Sequence, residues 1–422
     1  MPSIEQQAKQ SKLEKIIYLF ISASPGGFKI YVLLFIGLLS SKVQGDLAND
    51  LSIVGFLTMI TAIGAGTQLL HLIPKKINTS ETDAKKVLKS ALNKLLPYIF
   101  SICLFFYLID HFILKSLSSD IQTATLLFVS SLYWIFRHYF LARETPMKLL
   151  EMEVLVWTAT TIGFIALYAA DHLTTNNALI IISASYFISY AAPLFTTIRI
   201  KQTQKIFIIQ DSASIGLSNL ISGGVINLAP SICYNLGNPA LAGTMGLMVN
   251  ISSITLTLIR SQLYKKSPEI SLSIAKKSPD TISLCKNTQT SINKTIFISA
   301  LALQPVNIIA SHYSQHSSNL YSTLGYSLLV TALICTPQLS AINSTVANFI
   351  GKSSAMLLAN CTHAALVIAT TSFFYIMFNE PSITFISFLA SSSILFLGRN
   401  KVINLVTSKE LHRITNSKSD HN

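Results

Sequence analysis

Long apolar runs separated by polar connections dominate this chain. A helix needs about twenty mostly apolar residues to cross a bilayer, and twelve such segments are found. They cover residues 16–41, 48–72, 94–115, 121–142, 149–170, 178–198, 212–234, 239–260, 294–312, 323–347, 354–378 and 383–398. The pattern predicts an all-α, polytopic membrane protein with about twelve transmembrane helices.

Composition supports a membrane protein, and the basic residues predict its orientation. Of 422 residues, 50% are hydrophobic and 12% are charged, whereas soluble proteins carry about 25% charged residues. With the N-terminus in the cytoplasm, all but three of the 31 Lys and Arg residues lie in or beside cytoplasmic segments, including Arg399 in the tail. This asymmetry is typical of membrane topology. It explains the net charge of +13 without a nucleic-acid partner and predicts that both termini are cytoplasmic.

The predicted spans divide into two halves of six. The joint lies near residues 199–211, which gives an N-terminal lobe of residues 1–205 and a C-terminal lobe of residues 206–422. Many transporters consist of two such halves, with the substrate site between them. The connections predicted to lie outside are short, so we expect no soluble domain on that face.

Motifs of enzymes and metal sites are absent from the sequence. It contains no P-loop, no HExxH and no nucleophile with a base at a suitable spacing. The five cysteines are scattered, without a CxxC pair, so neither a zinc site nor a disulfide framework follows. We therefore expect a protein that is not an enzyme and needs no cofactor.

One charge lies deep within the first span, in "ISASPGGFKIYVLLFIGLLSS". We expect a kink at Pro25, Gly26 and Gly27, since proline interrupts the hydrogen bonds of a helix. Lys29 then lies more than about 12 Å from either face, at about 1.5 Å per residue. Exposing it to lipid would cost about 2.5–3.5 kcal/mol. We predict that Lys29 faces a cavity and binds substrate; a structural ion pair is the alternative.

Polar stripes run along the seventh and eighth spans. In the seventh, Asn219 and Asn227 share a helix face with small residues, and in the eighth Asn250 leads towards Arg260. Close helix packing explains glycines and serines at such spacings. The asparagines need partners or water within a membrane, so Asn219, Asn227, Asn250 and Arg260 are candidate substrate-binding residues.

Further candidates interrupt other spans. Arg137 lies near the inner end of the fourth span, where it either binds substrate or extends its charge to the interface. Gln304 and Pro305 interrupt the ninth span, and Pro337 interrupts the tenth. Broken helices are tolerated where they line a cavity. Gln304 is therefore a candidate binding residue, and Pro305 and Pro337 are candidate hinges.

Two stretches resemble a known family. "LTMITAIGAGTQLLHLIPK" (57–75) is similar to the glycine-rich end of its second span and the basic exit that follows. "NLAPSICYNLGNPALAGTMGLMVNISSITLTLIRSQL" (227–263) is similar to its seventh–eighth hairpin. With the 6+6 layout and the cationic first span, the chain resembles the Wzx-type polysaccharide flippases of the multidrug/oligosaccharidyl-lipid/polysaccharide (MOP) exporter superfamily.

This resemblance implies a fold and an activity. The fold would be the MATE-like MOP fold in the bacterial inner membrane. The activity would be transfer of an undecaprenyl-diphosphate-linked oligosaccharide, such as an O-antigen unit for lipopolysaccharide, from the inner to the outer leaflet through a cationic cavity. Membrane lipids, a polysaccharide polymerase and chain-length machinery would be its partners. An ammonium such as Lys29 would suit a diphosphate.

Two other functions stay open. A cation-coupled multidrug or metabolite antiporter of the same fold would be expected to use membrane carboxylates, and the first span has none. A membrane polysaccharide polymerase or ligase would be expected to carry a large outer loop with catalytic basic residues, whereas the predicted outer connections are short.

Overall fold

The computed structural model describes residues 4–77, 81–143, 145–200, 207–314 and 320–416. Throughout these ranges the regular elements are helical, as predicted. The chain forms two compact units, Met1–Asn235 and Leu236–Asn422. They divide one helix later than the predicted boundary at 205/206, because the helix Ile209–Asn235 packs against the second span and so joins the first unit. The predicted lobes themselves stay a prediction.

Eight α-helices form the described part of the first unit. They are α1 (Ile4–Leu39), α2 (Ser41–Thr58), α3 (Gly64–Ile77), α4 (Glu81–Ile109), α5 (Asp120–Ala142), α6 (Pro146–Ala169), α7 (Thr175–Ile198) and α8 (Ile209–Asn235). A π-helical turn, Met59–Ile63, joins α2 to α3, so that Ser41–Leu70 forms one long span. This span begins seven residues before the predicted start at residue 48, because the predicted connection is itself helical.

Ten helical segments in the described part of the chain are long and apolar enough to cross a membrane. They are Phe20–Leu39, Ser41–Leu70, Thr82–Leu114, Pro146–Ala169, Thr175–Ile198, Pro239–Leu263, Thr281–Tyr313, Leu320–Ala347, Ser354–Phe378 and Pro381–Thr415. The bent α8 is an eleventh. Helix α5 coincides with the predicted fourth span but is not apolar enough to count with the others. It is largely buried against α3, α4 and α7, so it does not need a lipid-compatible surface.

The seventh span, α8, lies against the second span at a crossing of small residues. A Cβ on Gly64 would clash with the backbone oxygen of Ser212, and one on Gly216 would lie 2.9 Å from Cα of Ile60. Small residues let helix backbones approach this closely in membranes. Ser212 Oγ also donates a hydrogen bond of 2.7 Å to Gln68. Gly216, one of the small residues that share a helix face with Asn219 and Asn227, is therefore a packing residue.

Buried acids hold the helix ends at one side of the first unit. Asp50 on α2 accepts hydrogen bonds from the backbone and hydroxyl of Ser118 and from the hydroxyl of Thr123, at 3.2, 2.6 and 3.0 Å. These donors lie at the start of α5, where a helix leaves backbone N–H groups unsatisfied. Asp110 accepts bonds from the backbone of Ser116 and Leu117 in the same connection. Both carboxylates thus stabilise the α4–α5 turn.

Seven α-helices form the described part of the second unit. They are α9 (Pro239–Ser252), α10 (Ile254–Ala275), α11 (Thr281–Ser314), α12 (Leu320–Cys335), α13 (Ala341–Phe349), α14 (Ser353–Phe378) and α15 (Pro381–Asn416). Apolar residues from five of them, including Ile259, Ile292 and Ile342, form a buried cluster. A short 3₁₀ segment, Thr336–Ser340, separates α12 from α13 within the tenth span.

Candidate functional site

Lys29 lies on α1 and faces α2 at Gly55. Its side chain is half-buried, and its Nζ atom lies 3.2 Å from the position that a Cβ on residue 55 would occupy. The described part of the chain offers Lys29 neither a hydrogen bond nor an ion pair. The ammonium is therefore partly removed from water without a carboxylate to balance its charge.

Asn227 on α8 lies at the same place. Its side-chain oxygen is 3.7 Å from the same Cβ position on Gly55, and its backbone oxygen accepts a hydrogen bond from Ser52 of α2. Three helices thus bring two of the predicted site residues, Lys29 and Asn227, together above a glycine. Sequence reasoning missed Gly55. A glycine inside an apolar helix was the available signal, since such a residue often marks a close approach.

The stretch of α1 around the predicted kink is continuous helix, and a kink at Pro25, Gly26 and Gly27 stays a prediction. Helix α1 continues through Pro25, Gly26 and Gly27 to Leu39. Pro25 has no N–H to donate to the oxygen of Ile21, four residues earlier. That freed oxygen instead accepts a 2.7 Å hydrogen bond from Nη2 of Arg137 on α5. A distant arginine satisfies the acceptor that the proline leaves free, and the helix continues.

Arg137 belongs to a buried ion pair. Its Nε lies 3.0 Å from Oε1 of Glu153 on α6, and their side chains are 8% and 1% exposed. Ser24 of α1 donates a 2.6 Å hydrogen bond to the other carboxylate oxygen, and Trp157 donates to Ser24. Both charged groups are therefore bonded within the fold. A substrate-binding role for Arg137 stays a prediction, and its observed contacts are those of a residue that joins α1, α5 and α6.

The opposite face of α1 is aromatic. Phe28 and Tyr31 pack against Trp157, with ring centroids 5.7 and 5.2 Å apart, and a Cβ on Gly27 would lie 3.6 Å from the same ring. Tyr31 also donates a hydrogen bond to Thr161. These contacts fix the rotation of α1 about its axis. The packing on α6 leaves Lys29 directed towards α2 and α8.

The seventh span, α8, bends shortly before Asn227. The two arms of α8, Ser212–Ile221 and Gly223–Asn235, meet at 54°. Asn219 lies on the first arm and is half-buried, and Asn227 lies on the second. At the far end of the second arm, Tyr234 donates a 3.0 Å hydrogen bond to Asp46 of α2. The sequence analysis did not predict this bend, which comes directly before Gly223 and Gly224, two residues without side chains to stiffen the backbone.

The remaining predicted residues lie in the second unit. Gln304 donates to Thr331 and accepts from Ser327, at 2.9 and 2.6 Å, while the neighbouring Asn307 donates to Ser252 and Ser327. This network joins α9, α11 and α12, so Gln304 has partners within the fold. Binding of substrate by Gln304 stays a prediction.

Asn250 and Arg260 differ from each other in their surroundings. Asn250 donates a 2.7 Å hydrogen bond to the oxygen of Gly246 in its own helix, which satisfies the amide locally. Arg260 is exposed on α10. The predicted polar path between them stays a prediction.

The two predicted hinges of the second unit also differ. Helix α11 continues through Pro305, as α1 does through Pro25. At Pro337 the tenth span changes to the 3₁₀ segment, and hinge motion at Pro305 and Pro337 stays a prediction. Asn400 of α15 donates a 2.6 Å hydrogen bond to the oxygen of Thr336, and Asn343 donates to Asn404. Helix α15 thus supplies polar partners along the interrupted span.

Comparison with known proteins shows the fold. No protein-family model matches the chain, and no curated protein matches it. Three solved structures cover nearly its whole length. They are the eukaryotic MATE transporter AtDTX14 (TM-score 0.67, 13% identity, 97% of this chain and 99% of that one), an inward-facing multidrug resistance MATE transporter of the MOP superfamily (0.62, 10%, 96% and 96%) and the lipid II flippase MurJ (0.57, 14%, 94% and 90%).

The chain has the fold of the MOP-superfamily transporters. At 10–14% identity the likeness shows the fold alone. The ten apolar helices, in a fold shared with membrane transporters, support a multi-pass membrane protein. These neighbours are transporters and a flippase rather than enzymes, and their fold carries both drug and lipid-linked cargo. The cargo of this chain has to be argued from its own residues.

Proposed function

We propose that the chain is a flippase of the bacterial inner membrane. It moves an undecaprenyl-diphosphate-linked oligosaccharide, an O-antigen unit or a related surface-polysaccharide unit, from the inner to the outer leaflet by alternating access. The ammonium of Lys29, half-buried on α1 and without a counter-ion among the described residues, carries this proposal. In this function Lys29 contacts the diphosphate.

The chemistry around Lys29 suits an anionic headgroup. A partly desolvated ammonium raises the free energy of the empty protein, and a phosphate that binds next to it offsets that cost. Lysine binds phosphate as a point charge with three donors. The amide of Asn227 adds a neutral donor and acceptor that can bond phosphate or sugar oxygens, and Gly55 leaves room beside the ammonium.

The neighbours with the same fold support both cargo classes. MurJ is a lipid II flippase, whereas other neighbours are MATE multidrug transporters. Cation-coupled antiport is the alternative, and Asp46, a half-buried acid on α2, is the observation that favours it. An unbalanced cation at Lys29 favours an anionic cargo over a cationic drug. Membrane lipids, a polysaccharide polymerase and chain-length machinery are its proposed partners.

Display of surface glycan in cells tests the proposal. We expect Lys29→Ala to abolish display while the protein stays in the membrane, with lipid-linked units accumulating on the inner leaflet. Lys42→Ala, which removes an exposed lysine at the start of α2, is the matched control and should display glycan normally. Normal display by Lys29→Ala would contradict the role of Lys29. Drug resistance conferred by the wild type, without any effect on glycan, would favour the antiporter.

A further inference from the structure

A groove separates α1 from α8 beside Lys29. Both helices pack on α2, where Lys29 and Asn227 meet at Gly55, but in their described parts they make almost no contact with each other. Helix α2 therefore forms the floor of the groove, and α1 and α8 form its walls. We call Lys29, Asn227 and Gly55 the lysine–amide site. All three residues are half-buried, so the site is partly accessible.

The two walls of the groove run in the same direction. Gln44 of α2 donates a hydrogen bond to the oxygen of Leu33 on α1, and Tyr234 of α8 donates to Asp46 of α2. On α2 these contacts come before the lysine–amide site, whereas on α1 and α8 they come after it. Both walls are therefore antiparallel to α2 and parallel to each other. The residues that precede the site on α1 and on α8 lie at the same end of the groove.

Glycines leave that end of the groove without side chains. Gly26 precedes Lys29 by three residues, and Gly223 precedes Asn227 by four, so each glycine shares a helix face with the polar residue that follows it. No heavy atom lies within 4 Å of the position that a Cβ on either glycine would occupy. The lysine–amide site therefore adjoins open space, into which a group joined to a bound phosphate can extend.

The amide of Asn227 indicates which group extends there. Its side chain lies against Gly55 and has no hydrogen bond with the described residues. An amide donates through its nitrogen and accepts through its oxygen, whereas an ionised phosphate only accepts. A phosphate would satisfy the nitrogen and leave the oxygen unpaired, which is costly away from water. A sugar hydroxyl or acetamido group both donates and accepts, so it can satisfy both halves of the amide.

We propose that Asn227 is a specificity-determining residue that recognises the sugar bonded directly to the diphosphate, while Lys29 contacts the diphosphate. In this assignment, which rests on the proposed function, the sugar lies in the glycine-lined end of the groove, and its hydroxyl or acetamido groups bond the amide. Lys29 then selects the charge of the cargo, and Asn227 selects its first sugar.

Translocation in proteoliposomes, with cargoes that differ only in the first sugar, tests this role. The cargoes are undecaprenyl diphosphate carrying N-acetylglucosamine, carrying galactose or carrying no sugar. Asn227→Leu keeps the size of the side chain and removes the amide. We expect it to translocate the preferred sugar-bearing cargo about tenfold more slowly than the wild type, as for loss of a pair of hydrogen bonds. The bare diphosphate should move at the wild-type rate, whereas Lys29→Ala should slow all three cargoes.

A second variant and two controls separate recognition from structure. Gly223→Leu fills the open end of the groove but keeps Lys29 and Asn227, so we expect it to slow the sugar-bearing cargoes and spare the bare diphosphate. Asn287→Leu, at an exposed asparagine of α11, and Gly325→Leu, at an exposed glycine of α12 with open space around its Cβ position, are the matched controls. Both should match the wild type.

Two results would overturn the sugar contact while the proposed function stands. One is an equal loss of the bare and the sugar-bearing cargoes in Asn227→Leu, which would assign the amide to the phosphate or to the fold. The other is unimpaired transport of the sugar-bearing cargoes by Asn227→Leu. A wild type that translocates none of the three cargoes would contradict the proposed function itself, and the role of Asn227 with it.

Discussion

Two cations beside α1 differ in what balances their charge. Arg137 is buried and paired with Glu153, and it satisfies the backbone oxygen that Pro25 leaves free. Lys29, one helical turn after Pro25, is half-buried and faces a glycine and an asparagine. The first cation holds three helices together. Lys29 makes no hydrogen bond or ion pair with the described residues, which is the arrangement expected of a group that binds a ligand.

The largest expected effect is a loss of stability when Glu153, the counter-ion of Arg137, is replaced. Glu153→Gln leaves Arg137 buried without a counter-ion, and breaking such pairs costs about 3–5 kcal/mol. Lys29→Ala removes a charge that has no partner among the described residues, so the free energy of unfolding should be unchanged or higher. Thermal unfolding of the purified proteins in detergent measures both effects. A Lys29→Ala variant as unstable as Glu153→Gln would reveal a structural role for Lys29 and remove the contrast.

An intermediate effect, on glycan export, is expected when Gly55 is replaced. Gly55→Leu fills the space next to the ammonium, since even a Cβ would lie 3.2 Å from Nζ. We expect glycan export to fall about tenfold or more, as for loss of a charged contact worth about 1.5–3 kcal/mol. Gly325→Leu, at an exposed glycine of α12 with open space around its Cβ position, is the control and should export normally. Unimpaired export by Gly55→Leu would show that cargo does not approach Lys29 from this side.

The smallest expected effect concerns Pro25. Pro25→Ala restores an N–H that can donate to the oxygen of Ile21, so the hydrogen bond from Arg137 becomes less important. In a double-mutant cycle with Arg137→Gln, we expect a coupling of about 0.5–1.5 kcal/mol, the net value of one hydrogen bond. Additive unfolding free energies would mean that Arg137 does not compensate for the proline.

The helical fold and part of the candidate site were predictable from the sequence, whereas the continuity of α1 was not. Apolar runs and charge asymmetry sufficed for the all-helical membrane fold, and the isolated charge of Lys29 and the polar Asn227 indicated residues that the structure brings together. The continuity of α1 was not predictable, because the group that replaces the missing N–H of Pro25 comes from Arg137, 116 residues beyond its acceptor Ile21. Local pattern carries no information about such a partner.

Arg399 illustrates a second limit. Counted along the sequence, it belonged with the basic tail, yet it is buried and donates hydrogen bonds to the side-chain oxygens of Asn360 on α14 and of Asn400 on its own helix. Charge counting assigns a residue to a side of the membrane from its neighbours in sequence. It does not reveal whether the side chain turns towards solvent or towards the next helix, since that depends on packing between distant segments.

Translocation in proteoliposomes tests the central claim, that Lys29 contacts the diphosphate, most directly. The cargo is a fluorescent oligosaccharide linked to undecaprenol through either a diphosphate or a monophosphate, and the proteins are the wild type, Lys29→Ala and Lys42→Ala. We predict that Lys29→Ala lowers the translocation rate of the diphosphate-linked cargo about tenfold or more. The ratio of this rate to the rate of the monophosphate-linked cargo should also fall. Lys42→Ala should match the wild type in both respects. Wild-type rates and an unchanged preference for the diphosphate in Lys29→Ala would contradict the claim.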